Sequence, residues 1–149
     1  MNAPKSPRPR RIGALCALAL IAVAGCGTTG VPQTIARGGA VYQANCAACH
    51  GTNGQGQPGW RRQNSDGTYP APPHDASGHT WHHGDGLLFR IVKEGGKVYE
   101  TPGFKSSMPP FGDRLSDEEI RAVIAYIKTL WPPKLQASQG EAAKTDPFP

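Results

Sequence analysis

The sequence predicts a small all-α fold of three to four helices. Three observations point to it. Apolar residues recur at helical spacing in three segments, which begin near Thr34, Asp85 and Ser116. Gly (19) and Pro (15) together make up 34 of the 149 residues, so long loops must join those helices. The length suits one domain with appendages and excludes a large barrel or a doubly wound sheet.

Residues 1–25 form a segment of their own. Lys5, Arg8, Arg10 and Arg11 precede an apolar run from Ile12 to Ala24. That run falls short of the ~20 residues that a membrane span needs. A basic start, a short apolar run and small residues after it describe a secretory signal peptide. The junction Val23-Ala24-Gly25-Cys26 resembles the lipobox of bacterial lipoproteins. That resemblance implies cleavage before Cys26, lipidation of its thiol and attachment to the periplasmic side of a membrane. Arg10-Arg11 also suits twin-arginine export, but two arginines among other basic residues carry little weight.

Removing residues 1–25 changes the charge. The whole chain carries 16 basic and 11 acidic residues; four basic ones leave with the leader, so twelve against eleven remain, or +1. The basic balance belongs to export, and nucleic-acid binding loses its support. The remaining chain is also poor in large apolar residues: 5 Val, 5 Ile, 5 Leu and 4 Phe in residues 26–149. With clear helical patterns and little net charge, the simplest resolution is a core filled partly by a large apolar cofactor.

Residues 26–33 read as a short tether, whose seven residues Gly27 to Gln33 span at most ~25 Å when extended. The first helix is expected from Thr34, as its cap, to about Ala48. Ile35, Gly39, Tyr42, Cys46 and Cys49 form its stripe. Gly38 and Gly39 weaken a helix and are tolerated where another helix crosses closely. The stripe ends in Cys46-Ala47-Ala48-Cys49-His50. C-x-x-C-H is the signature of covalent c-type haem attachment. Thiols three residues apart on a helix share a face and can reach both vinyl groups of one porphyrin. His50 then meets the iron from the proximal side. A redox disulfide would not need His50, and a zinc site would need a second ligand pair.

Residues 51–83 are loop-rich, with four glycines between Gly51 and Gly59 and prolines at 70, 72 and 73. His74, His79, His82 and His83 fall close together; a second metal site, for copper, is one reading of them. Solvent-facing, capping or haem-contacting roles are the other. Asp85–Glu94 is expected to be a short helix with Leu87, Leu88, Ile91 and Val92 inward, stopped by Gly95-Gly96. Residues 97–115 form a loop carrying Met108, the one methionine left after the leader. It lies far along the chain from His50, and Pro109-Pro110 stiffen the backbone behind it. A thioether held this way suits a sixth iron ligand. Trp60, Trp81, Tyr99 and Phe111 are candidate pocket walls.

Ser116 to Glu119 read as a capping box opening the last helix, with Ile120, Val123, Ile124, Ile127, Leu130 and Trp131 in its stripe. Ala122 and Ala125 leave room for a close neighbour, and Pro132-Pro133 end it. Residues 134–149 show no periodicity and are expected to be disordered.

Taken in order, these motifs resemble a class I c-type cytochrome. C-x-x-C-H lies near the mature N-terminus and a Met-Pro loop precedes the last helix, over residues 34–133. The resemblance implies three to four helices around one covalent haem c. It implies Cys46 and Cys49 as attachment sites and His50 and Met108 as axial ligands. Gly39 and Tyr42 fit the family's contact between first and last helices. A proline carbonyl should accept a hydrogen bond from His50, with Pro73 the candidate and Pro72 the alternate. The function implied is carriage of single electrons between redox proteins, with no catalysis, no nucleic acid and no small-molecule substrate. A haem sensor or enzyme with a labile distal ligand, and a copper-linked lipoprotein using the histidine cluster, are the alternatives.

Overall fold

The computed structural model describes residues 32–149. The leader and Cys26 lie outside the described residues. Helix α1 runs Gln33–Asn45, α2 Ala47–His50, α3 Asp85–Glu94, α4 Asp117–Lys128 and α5 Pro133–Thr145. Among the described residues there is no strand, and two isolated bridges, Thr68 with Lys105 and Thr101 with Phe104, stitch the loops together. The all-α expectation holds, with more helices than expected.

Pro32, not Thr34, heads α1. Its ring sets φ near −47°, and its carbonyl accepts bonds from the amides of Ile35 (2.8 Å) and Ala36 (3.1 Å). No side chain caps this end. The helix expected to reach Ala48 breaks at Cys46, whose amide still bonds the Tyr42 carbonyl at 2.8 Å. The short α2 then carries Cys49 and His50.

Helix α1 crosses α4 at Gly38. A Cβ at Gly38 would overlap the backbone carbonyl of Ala122, so only glycine admits this approach. Gly38 is therefore the crossing residue, in place of Gly39, where an added Cβ would come within 3.3 Å of the Tyr126 ring, a tight contact that a small shift of the ring relieves. Tyr42, one turn on, is fully buried and packs on Tyr126 at 5.3 Å between ring centroids. Ala122 supplies the small surface on the α4 side; Ala125 is only half-buried.

Helix α4 begins as expected. Ser116 Oγ accepts from the Glu119 amide at 3.2 Å, and Glu119 accepts from the Ser116 amide at 3.0 Å. Its buried face, Ile120, Val123, Ile124 and Ile127, meets Val41 and Tyr42 of α1, Leu88 and Phe89 of α3, and Phe111, Leu115 and Trp131. Helix α3 ends at Gly95, whose φ of +87° only glycine takes without strain.

The expectation of a disordered tail over 134–149 is overturned. Helix α5 starts with Pro133 in its first turn and packs beside α3 and the 3-10 turn Thr80–His82. Buried Gln139 donates to Asp85 Oδ1 (2.6 Å) and to the His83 carbonyl (3.3 Å). Beyond α5, Asp146 caps α3: its Oδ2 accepts from the Leu87 amide at 2.6 Å and its carbonyl from the Gly86 amide at 2.8 Å. Phe148 lies edge-on to Phe89 at 6.2 Å. These anchors are polar or widely spaced, so they leave no apolar stripe in the sequence.

Gly38→Ala should destabilise the protein by roughly 1–3 kcal/mol, the usual cost of overpacking. Chemical denaturation measures it, and Gly39→Ala should cost less.

Candidate haem site

Burial and one hydrogen bond set the chemistry of His50. Its ring is buried, and Nδ1 lies 2.8 Å from the carbonyl oxygen of Pro72. Burial lowers the His50 pKa, opposed in part by that bond. The imidazole is therefore neutral at pH 7, with its proton on Nδ1. The lone pair of Nε2 is left free to bind a metal. The carbonyl is that of Pro72, the alternate, and not of Pro73. Pro73 is fully buried behind it and turns its own carbonyl toward Gly78, where a Cβ would collide with it.

The loop after α2 holds this carbonyl in place. The Gly56 amide bonds the His50 carbonyl at 2.7 Å, and the Gln57 amide bonds the Ala71 carbonyl at 2.9 Å. Gly56 has φ +68° and sits against the Pro72–Pro73 backbone, where a side chain would clash. Tyr42 Oη donates to the Gly51 carbonyl at 2.9 Å and pins the start of the same loop.

Sequence reasoning missed the role of His74. Its ring stacks on His50 at 4.0 Å and meets Tyr42 edge-on at 6.0 Å. Its Nδ1 contacts Thr80 Oγ1 at 3.1 Å, and its carbonyl accepts from Trp131 Nε1 at 2.7 Å. Burial, then the neighbouring His50 and His79, holds its pKa well below the usual value. His74 is a neutral wall that fixes the face of the His50 ring. Its place just after Pro72-Pro73 was the available signal.

Cys46 and Cys49 are both free thiols, half-buried and exposed respectively. Burial, then Cys49, pushes the Cys46 thiol up to about 11. Redox-active C-x-x-C pairs show the opposite, a thiol lowered toward neutrality. That tells against a thioredoxin-type disulfide.

Met108 is half-buried and packs, with Cys46 and Ala47, against the core cluster. Its loop is fastened to the end of α3. The Phe111 and Gly112 amides bond the carbonyls of Val92 (3.0 Å) and Lys93 (2.9 Å), and the Gly96 amide bonds the Met108 carbonyl (3.0 Å). The last carbonyls of α3, which every helix leaves open, are thus filled by the methionine loop. Ser106 Oγ accepts from the Met108 amide at 3.2 Å.

The remaining histidines do not form a ligand set. Among the described residues, no group of three His, Cys, Asp or Glu side chains is arranged to hold a metal ion. His82 is exposed and stacked on Trp81 at 3.7 Å; His79 stacks on Trp60 at 5.6 Å and meets His83 edge-on at 5.4 Å. Of the candidate walls, Phe111 is buried in the core and Tyr99 is exposed. Two buried nitrogens, His79 Nδ1 and Trp81 Nε1, have no hydrogen-bond partner within the protein. Such groups are costly unless something accepts from them. A haem fits: its propionate oxygens accept, and its ring supplies the apolar bulk that the core lacks. The thiol pair and the Nε2 lone pair of His50 fit the same group. Cys46 and Cys49 would hold it covalently and His50 would bind its iron.

An all-α fold with a C-x-x-C-H turn, a proline-tethered histidine and a methionine loop defines a small haem-binding electron-transfer module. The family model Cytochrome c matches residues 35–131, and the chain belongs to the cytochrome c family, whose haem c is covalently bound. Three curated relatives illustrate its range. The cbb3-type cytochrome c oxidase subunit FixP of Sinorhizobium medicae is 33% identical over 101 residues, 64% of this chain and 30% of that protein. Cytochrome c6 of Thermosynechococcus vestitus is 25% identical over 118 residues, 79% of this chain and 89% of that one. Cytochrome c-552 of Thermus thermophilus is 34% identical over 108 residues, 62% and 67% respectively. The chain spans about a third of the length of the FixP relatives.

Stability should fall as pH drops below about 6.5, because the unfolded chain takes up protons that buried, neutral His74 refuses in the fold. The sign follows from its lowered folded pKa: stability is full above the unfolded pKa and is lost below it. His74→Leu should flatten that slope by up to ~1.4 kcal/mol per pH unit, read by urea denaturation at pH 5 and pH 7.

Proposed function

We propose that this chain is a single-haem c-type cytochrome, tethered through Cys26 to the periplasmic side of a bacterial membrane, that carries single electrons between redox proteins. The observation that carries the reading is the tethering of His50 Nδ1 to the Pro72 carbonyl, one residue from a free C-x-x-C pair. When bound, haem c supplies a one-electron ferrous/ferric couple. The chain's own part is to keep the surroundings constant in both states. Cys46 and Cys49 would hold the ring covalently, His50, oriented by the Pro72 carbonyl, would bind its iron through Nε2, and Met108 would supply a thioether ligand. The buried core beside Phe89, Phe111 and Ile127 keeps water out, so little reorganisation accompanies electron transfer.

The tether supports a short working radius. In this reading attachment rests on Cys26 and its acyl chains, worth ~0.8 kcal/mol per buried CH₂; among the described residues no helix is long and apolar enough to cross a membrane. One relative is by name a subunit of a cbb3-type oxidase. A respiratory oxidase is accordingly a candidate acceptor.

Cys46→Ala or Cys49→Ala should sharply reduce the yield of haem-bearing protein from a host competent in cytochrome c maturation. Met108→Ala should leave attachment intact, lower the reduction potential and abolish the weak far-red band of Met–iron ligation. An unchanged potential and spectrum would reject Met108 as the distal ligand and favour an open, sensor-like site. Cys26→Ala should move the protein from the membrane fraction to the soluble fraction; retention would point to an uncleaved apolar anchor.

A further inference from the structure

Helix α5 and the residues after it lie beyond residue 131, where the family match ends. The domain is nevertheless shaped to receive them. A Cβ at Gly84 would strike Asp146 and the Ala142 carbonyl, and one at Gly86 would strike Asp146 and the Pro147 carbonyl. Neither glycine has a positive φ, so space and not backbone conformation excludes a side chain there. Asp146, seated on these glycines, caps α3 and pairs with Arg90 at 3.4 Å. Arg121 and Lys128 lie over the Phe148 ring, beside Phe89.

Two glutamines three residues apart on α5 reach the supports of one ring, that of His74. Gln139 is fully buried; its Nε2 donates to Asp85 Oδ1 and to the His83 carbonyl, while Lys128 Nζ holds the same Asp85 oxygen at 2.6 Å. The His83 amide bonds the Thr80 carbonyl at 3.2 Å and closes the 3-10 turn, and Thr80 Oγ1 lies 3.1 Å from His74 Nδ1. Gln136 Nε2 donates to the Trp131 carbonyl at 2.8 Å, and Trp131 Nε1 donates to the His74 carbonyl at 2.7 Å. His74 is thus braced at its ring and at its backbone, and both braces run back to α5. Its ring stacks on His50 at 4.0 Å. An apolar residue at position 139 would cover the core as well; a buried amide is costly unless its bonds are made, and what it adds is direction.

Resting on the haem reading above, we propose that α5 is a positioning clasp for the candidate iron ligand: Gln139, with Gln136, holds His74 against His50 and thereby sets the electron affinity of the haem. The Pro72 carbonyl fixes one atom of the His50 ring, and the stacked His74 ring fixes its plane. Groups that orient a metal ligand, and the shell that controls access of water to it, tune the reduction potential. When Gln139 is lost, the turn loosens and water reaches the contact between the two rings. Water favours the ferric state, which carries one more positive charge.

The test compares the holoprotein with its Gln139→Leu variant, which keeps the bulk and removes both bonds. A redox titration of the unmodified protein comes first; absence of a one-electron haem couple would reject the haem reading itself. With the couple present, amide hydrogen exchange of residues 79–83 should quicken in Gln139→Leu, because the turn opens more often. At a fixed ambient potential its ferrous-to-ferric ratio should fall about threefold or more, the scale of one modest hydrogen bond. The g values of the ferric haem, which follow the orientation of its axial ligands, should shift as well. Gln136→Ala should move the ratio in the same direction. In a His74→Leu background, Gln139→Leu should move it no further, since the two residues act along one path. Ser116→Ala, which removes the distant α4 cap at a cost of ~1 kcal/mol, should leave the ratio unchanged. Unchanged exchange in Gln139→Leu, quickened exchange with an unchanged or raised ratio, an equal fall in the His74→Leu background, or a ratio that moves in Ser116→Ala overturns the proposal while leaving the haem couple in place.

Discussion

The contact between two backbones at Gly38 organises this molecule. Helix α1 passes α4 so closely that a Cβ would strike the Ala122 carbonyl. That approach lets Tyr42 sink fully into the core and reach the Gly51 carbonyl with its hydroxyl. The break at Cys46 and the turn of α2 follow directly, and the position of His50 is set by how α1 lies on α4. With so few large apolar side chains, the chain leans on this backbone contact to locate His50.

Two backbone devices complete the site. The Pro72 carbonyl takes the Nδ1 proton of His50 and leaves the Nε2 lone pair free. The amides of Phe111 and Gly112 fill open carbonyls at the end of α3, so that the helix end and the Met108 loop are fastened together. In both cases the candidate ligand is held by main-chain groups that surface substitutions cannot easily disturb. His74 adds a neutral ring against His50, which explains a buried histidine where a hydrocarbon would be expected.

Much of this was legible in the sequence because it depends on local pattern. The spacing of Cys46, Cys49 and His50, the capping box at Ser116 and the glycine stop at Gly95 each follow from interactions within a few residues. What could not be read depends on long-range placement. Choosing Pro72 over Pro73 requires knowing which carbonyl faces His50 across an intervening loop. Choosing Gly38 over Gly39 requires the rotation of α1 against α4. The ordered tail was hidden because Gln139 and Asp146 stabilise it through polar bonds to Asp85 and Leu87, far away in sequence, which hydrophobic periodicity cannot reveal. The histidine cluster stayed open between two readings because spacing alone does not say which rings converge; in the fold His74 stacks on His50 while His79 and His83 meet edge-on.

The proposed carrier needs no moving part, since the same side chains would serve both oxidation states. The feature on which all of this rests is covalent capture of one porphyrin by the two thiols beside His50. Mass spectrometry of the proteolytic peptide spanning residues 46–50, taken from protein matured in a competent host, measures it most directly. The expected product is one haem joined to both Cys46 and Cys49. Unmodified thiols, or a disulfide between them, would contradict it.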